Sequence, residues 1–110
     1  MNFNEYQKEA AKTINKELDK KELIINSCLG LAGETGELIE HIKKWQGQGH
    51  PLDETHLVFE LGDVLFYLAQ FCTCSGFSLE HIAKMNIRKL RQRYGETFEA
   101  SKSINRTDDM

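Results

Sequence analysis

Two pairs of acids stand at helical spacing in the middle of the chain, Glu34 with Glu37 and Glu60 with Asp63. Members of each pair are three residues apart, which puts both carboxylates on one face of a helix. Between the pairs lies Gly47-Gln-Gly-His-Pro51, a helix stop followed by a turn. In a helical hairpin, positions with a common sum face each other, and 34 with 63 and 37 with 60 share the sum 97. The midpoint of that sum falls inside the turn. Four carboxylates are therefore expected at one level of the hairpin. Like charges raise one another's pKa and oppose ionisation, so the cluster calls for a cation, with a structural salt-bridge cluster as the weaker alternative. All-oxygen ligands select a hard ion, Mg²⁺ or Mn²⁺. A di-iron carboxylate bundle would need Glu-x-x-His. That spacing is absent from the sequence, so redox iron is disfavoured and the four histidines are read as surface or packing residues.

The elements that must hold these acids follow from apolar periodicity. With one proline and no long alternation of apolar and polar residues, the chain reads as all-α. Helices are expected over about 3–19, 22–46, 53–75 and 78–94. Asn2 or Asn4, Asp53 and Ser78 are placed to cap the first, third and fourth. Asp19-Lys-Lys-Glu22 reads as a charged connector. The second helix carries Gly30, Gly33 and Gly36, each costing roughly 0.8–1 kcal/mol relative to alanine. Close helix packing and room for a ligand are both adequate reasons. The third helix is apolar nearly all round, which marks a central helix or one buried between subunits. Glu60 lies on its stripe Leu57–Glu60–Val64–Tyr67–Phe71, and an acid there needs a partner.

Composition bounds the rest. A chain of 110 residues makes one domain, here 1–98, with 99–110 as a flexible tail that Phe98 could anchor. A formal net charge of −3 argues against a nucleic-acid or membrane-surface binder. The longest nearly apolar run, around Val64–Cys72, is short for a bilayer span, and no signal peptide is visible. Three unpaired cysteines fit a reduced, cytoplasmic setting. Cys72-Thr-Cys74 is not a redox motif and reads as small, buried or half-buried apolar thiols.

On the fourth helix Asn86 lies on the apolar stripe, with Lys89 and Arg93 on an adjoining face. If that helix packs beside the acidic hairpin, these three complete a site for phosphates, because cations next to a carboxylate-bound metal offset charge on phosphate oxygens and on a leaving group. Glu40 is either a further carboxylate of the site or a surface partner of Lys43 or Lys44. Trp45, Phe66, Tyr67 and Tyr94 could stack a base, though each suits a core equally well.

Gly30-Leu-Ala-Gly-Glu-Thr-Gly-Glu37, Glu60-Leu-Gly-Asp-Val-Leu-Phe-Tyr-Leu-Ala69 and Asn86-Ile-Arg-Lys-Leu-Arg-Gln-Arg-Tyr94 together resemble the MazG-type nucleoside triphosphate pyrophosphohydrolases. The resemblance covers nearly the whole chain. It implies a four-helix MazG-like bundle completed by dimerisation, as a homodimer or a homotetramer built from dimers. It also implies Mg²⁺-dependent hydrolysis of a nucleoside triphosphate to a monophosphate and pyrophosphate. Glu34, Glu37, Glu60 and Asp63 would then be the catalytic metal ligands, and Asn86, Lys89 and Arg93 the substrate-binding residues. A non-catalytic nucleotide-binding or interaction module on the same scaffold is the alternative. Gly33 stands where many members carry a further glutamate, which leaves Glu34 and Glu40 as the acids available to activate water.

Overall fold

A computed structural model describes residues 1–95, which form four α-helices in the order α1 (Phe3–Ala11), α2 (Lys20–Gln48), α3 (Glu54–Ser75) and α4 (Leu79–Tyr94). The all-α expectation holds. Phe98 and the segment 99–110 lie outside the described residues.

Local chemistry explains where each helix starts and stops. Asn2 caps α1 by accepting from Glu5 N–H at 2.9 Å, Asp53 caps α3 through His56 N–H, and Ser78 caps α4 through His81 N–H. The first helix is shorter than its periodicity predicts, ending at Ala11 rather than near 19. Polar side chains past that point compete for the backbone. Thr13 Oγ1 donates to Ala10 O, and Asn15 Oδ1 takes Glu17 N–H. Asp19-Lys-Lys-Glu22, read as a connector, is a capping box. Asp19 accepts from Glu22 N–H while Glu22 accepts from Asp19 N–H, so α2 begins at Lys20. Its last residue, Gln48, lies two past expectation, and Gly49 caps it in the left-handed region with φ 72°, where glycine carries no Cβ penalty.

α2 and α3 form an antiparallel hairpin that is the main packing unit. α1 lies on α3, and α4 lies on α1 and α3 without touching α2. The register across the hairpin follows the shared sum of 97. Gln70 donates to Ser27 Oγ at 2.9 Å in a buried contact, and also to Asn26. One turn on, Gly30 faces Tyr67 so closely that a Cβ at Gly30 would overlap the phenol ring. Gly33 and Gly36 face open space instead.

α1 is tied to the other end by polar contacts. Gln7 donates to Phe77 O and Thr73 Oγ1 and accepts from Leu79 N–H, while Asn4 donates to Glu80. Beneath them Ala69, Cys72 and Leu79 are the buried apolar residues, flanked by Tyr6, Ala10 and Leu65. Burial raises the Cys72 thiol above its ordinary value, with Cys74 adding to the effect. Cys72 is buried and Cys74 half-buried, as small apolar groups, and the three cysteines are unpaired.

The helix α3 is apolar over more of its length than the run Val64–Cys72 suggests. By length and composition alone it could cross a bilayer, a property it shares with the core helix of a soluble bundle. Here α2 lies along it and Glu60 and Asp63 sit within it. Its outer face carries Val58, Phe59 and Leu61, each more than half exposed, and α2 likewise exposes Leu29 and Ile39.

The contrast among the glycines gives a direct test. Gly30→Ala should destabilise by about 1–2 kcal/mol in urea unfolding, because overpacking against Tyr67 outweighs the gain in helix propensity. Gly33→Ala, with nothing to strike in the folded chain, should be neutral or stabilise by up to about 1 kcal/mol. Equal effects at the two positions would contradict the close approach at Gly30.

Candidate metal and phosphate site

The hairpin brings the four acids together. Glu34 is half-buried, Glu60 is 4% exposed, and Glu37 and Asp63 are open to solvent. Partial burial pushes the Glu34 carboxyl above the ordinary carboxylate range, and the charges of Glu37, Asp63 and Glu60 push it further in the same direction. A side-chain contact with Glu37 adds to the same effect on Glu34. Glu34 Oε2 and Glu60 Oε1 are buried and accept no hydrogen bond from the protein. Two buried acceptors without donors, within a group of mutually repelling carboxylates, leave a site that lacks positive charge. The donor set facing that deficit is oxygen, which suits a hard divalent ion.

Other groups border the acids. Tyr6 of α1 is one that periodicity alone assigned to packing. Its phenol is raised first by burial and then by the nearby Asp63 charge, so the first helix closes one side of the cluster. On the side toward the turn lies a cleft of about 220 Å³, lined by Glu37, Glu40, His41, Lys44, His56 and Glu60. Glu40 faces this cleft and makes no ion pair with Lys43 or Lys44. His41 and His56 stack loosely with ring centroids 5.2 Å apart, and His56 Nε2 lies 3.4 Å from Glu60 Oε1. These two histidines thus have a packing role, against each other across the hairpin. Their signal was present in the sequence, since 41 and 56 also share the sum 97, and His56 is four residues before Glu60.

The fourth helix is placed differently from the acids. Asn86 is exposed rather than turned inward with the apolar stripe, and Lys89 and Arg93 are half-buried. Because α4 does not touch α2, the expected packing of the fourth helix beside the whole acidic hairpin is not found within one chain. Of the aromatic residues considered for base stacking, Tyr67 is committed to Gly30 and sits edge-on to Phe66, whereas Trp45 is 43% exposed.

The chain thus presents an all-α hairpin with a convergent carboxylate cluster at its centre. A family model described as the MazG nucleotide pyrophosphohydrolase domain matches residues 25–98, spanning both acidic pairs and all of α4. The chain belongs to that family. Comparison with curated proteins and with solved structures gives no match.

Electrostatic frustration at Glu34 has a measurable sign. A carboxyl whose folded pKa is raised contributes most to stability below its unfolded pKa, and that contribution is lost as pH rises through the folded value. At neutral pH and in EDTA, the ionised group should oppose folding. Glu34→Gln should then raise Tm by a few degrees over the parent chain. Added Mg²⁺ should raise Tm of the parent and leave the variant nearly unmoved. A lower Tm for the variant in EDTA would contradict the repulsion.

Proposed function

We propose that the protein is a Mg²⁺-dependent nucleoside triphosphate pyrophosphohydrolase that releases a nucleoside monophosphate and pyrophosphate. The observation that carries this reading is the pair of buried, donorless oxygens on Glu34 and Glu60 inside a four-carboxylate cluster, in a chain of this family. Mg²⁺, for which Mn²⁺ could substitute, would offset charge on the triphosphate and make a coordinated water a better nucleophile.

The chain's own residues divide the remaining work. Glu34, Glu37, Glu60 and Asp63 hold the ion from two facing helices, so its position is fixed by the hairpin and not by a loop. Glu34 or Glu40 takes the proton from the attacking water. The position before Glu34 is a glycine in open space, and no side chain there can assist. Lys89 and Arg93 offset charge on the departing pyrophosphate, and Asn86 hydrogen-bonds a phosphate oxygen. Since α4 does not reach α2 of its own chain, these three residues are best delivered by a second copy.

A second copy is also favoured by burial. The described chain buries three apolar residues, Ala69, Cys72 and Leu79, yet leaves Leu29, Ile39, Val58 and Phe59 more than 60% exposed. Covering such side chains is worth about 25 cal/mol per Å² of apolar area. We place them at the interface of a homodimer, or of a homotetramer built from such dimers, in a reduced cytoplasm where the thiols stay unpaired.

Product analysis with the common NTPs and dNTPs plus Mg²⁺ tests the activity. At least one triphosphate should yield pyrophosphate. Glu37→Gln and Asp63→Asn should each lower kcat/KM by about 100-fold or more, the loss of several kcal/mol of charge stabilisation. Metal-dependent nucleotide affinity without product would make the chain a binding module instead. Sedimentation should give a dimer or larger at micromolar concentration, and Phe59→Glu should shift it toward monomer. A monomeric parent chain would remove the subunit interface from the reading.

A further inference from the structure

We infer that His41, His56 and Glu60 form a second metal site, chemically distinct from the oxygen cluster and suited to one borderline divalent ion of the zinc class. One ligand atom from each of the three residues lies within 4.8 Å of the others. His56 Nε2 and Glu60 Oε1 are 3.4 Å apart. Ligands about 2.1 Å from a tetrahedral ion stand roughly 3.4 Å from one another. The His56–Glu60 edge therefore already has the length such an ion requires, and His41 brings a third ligand atom within 4.8 Å of both.

Glu60 supplies an independent argument. Its side chain is 5% exposed, and Oε1, the atom toward His56, has no hydrogen-bond donor. His41 Nε2 lies at the mouth of the same group, where it accepts a hydrogen bond of 3.3 Å from Asp53 N–H. Two imidazoles beside a buried carboxylate are the donor set of zinc, cobalt and nickel sites, and are poor ligands for magnesium. The bond from Asp53 is long, so a metal that displaces it gives up little. The cleft beside the three residues is open to solvent, leaving room for a water as a further ligand.

Because Glu60 has two carboxylate oxygens, this site and the oxygen cluster share a residue. Each ion would draw on the same carboxylate, so occupancy of one site alters affinity at the other. The proposal does not rest on the pyrophosphohydrolase reading, and its test uses no nucleotide.

The full chain, stripped with EDTA and supplied with excess Mg²⁺, is titrated with Co²⁺ and followed by visible d–d absorption. One equivalent should bind with the spectrum of nitrogen coordination. His41→Ala and His56→Ala should each weaken Co²⁺ binding by at least about 10-fold, while Glu34→Gln, acting only through the shared Glu60, shifts it less than either and retains the nitrogen-coordinated spectrum. As a readout on the unmutated protein, Zn²⁺ should shift the ring resonances of two of the four histidines. The site is refuted if no histidine resonance responds to Zn²⁺, or if both histidine variants bind Co²⁺ as the parent does. It is equally refuted if Glu34→Gln abolishes Co²⁺ binding, since the ion would then occupy the oxygen cluster.

Discussion

The buried hydrogen bond from Gln70 to Ser27 and the contact of Tyr67 with Gly30 set the register of the α2–α3 hairpin. Everything chemical depends on that register. From these two levels the facing positions continue with Glu34 and Asp63, Glu37 and Glu60, and His41 and His56. The steps along each helix alternate three and four residues, which is the spacing of a coiled-coil seam. Such seams are ordinarily apolar. Here the facing positions are polar or ionisable over most of their length, and the apolar residues lie beside them or on the outer faces.

A seam of this kind trades self-sufficiency for chemistry. Acids that repel one another weaken the contact between the two helices most central to the fold, and the chain has few buried apolar residues with which to compensate. An ion between the acids and a second copy over the outer faces, as proposed, would address these two deficits separately. Ligand and subunit contacts then become part of the folding free energy rather than additions to a finished domain.

The sequence made the hairpin and its acids legible because two independent patterns agreed, the paired spacing and the symmetry about a glycine–proline turn. Helix ends were readable wherever a cap was recognised, as at Asp53 and Ser78. They were misread where local side-chain bonds compete with the helix, as at Thr13 and Asn15, or where the capping box at Asp19 looked like a charged connector. The contact of His41 with His56 is not encoded in spacing within one helix, because each has its partner across the hairpin. Tyr6 and the position of α4 were illegible for another reason. Both depend on how helices pack at long range, which periodicity within one helix does not encode.

The register also bears on how such a chain can diverge. Residues added to the loop around Gly49–Asp53 change the numbering of one arm but leave every facing pair intact, and lengthening a loop adds little closure entropy. One residue gained or lost within α2 or α3 would rotate all later positions off the seam and uncouple the acids from their counterparts. Descendants of this hairpin are therefore free to vary at the tip, while each arm accepts length changes only in whole seam repeats.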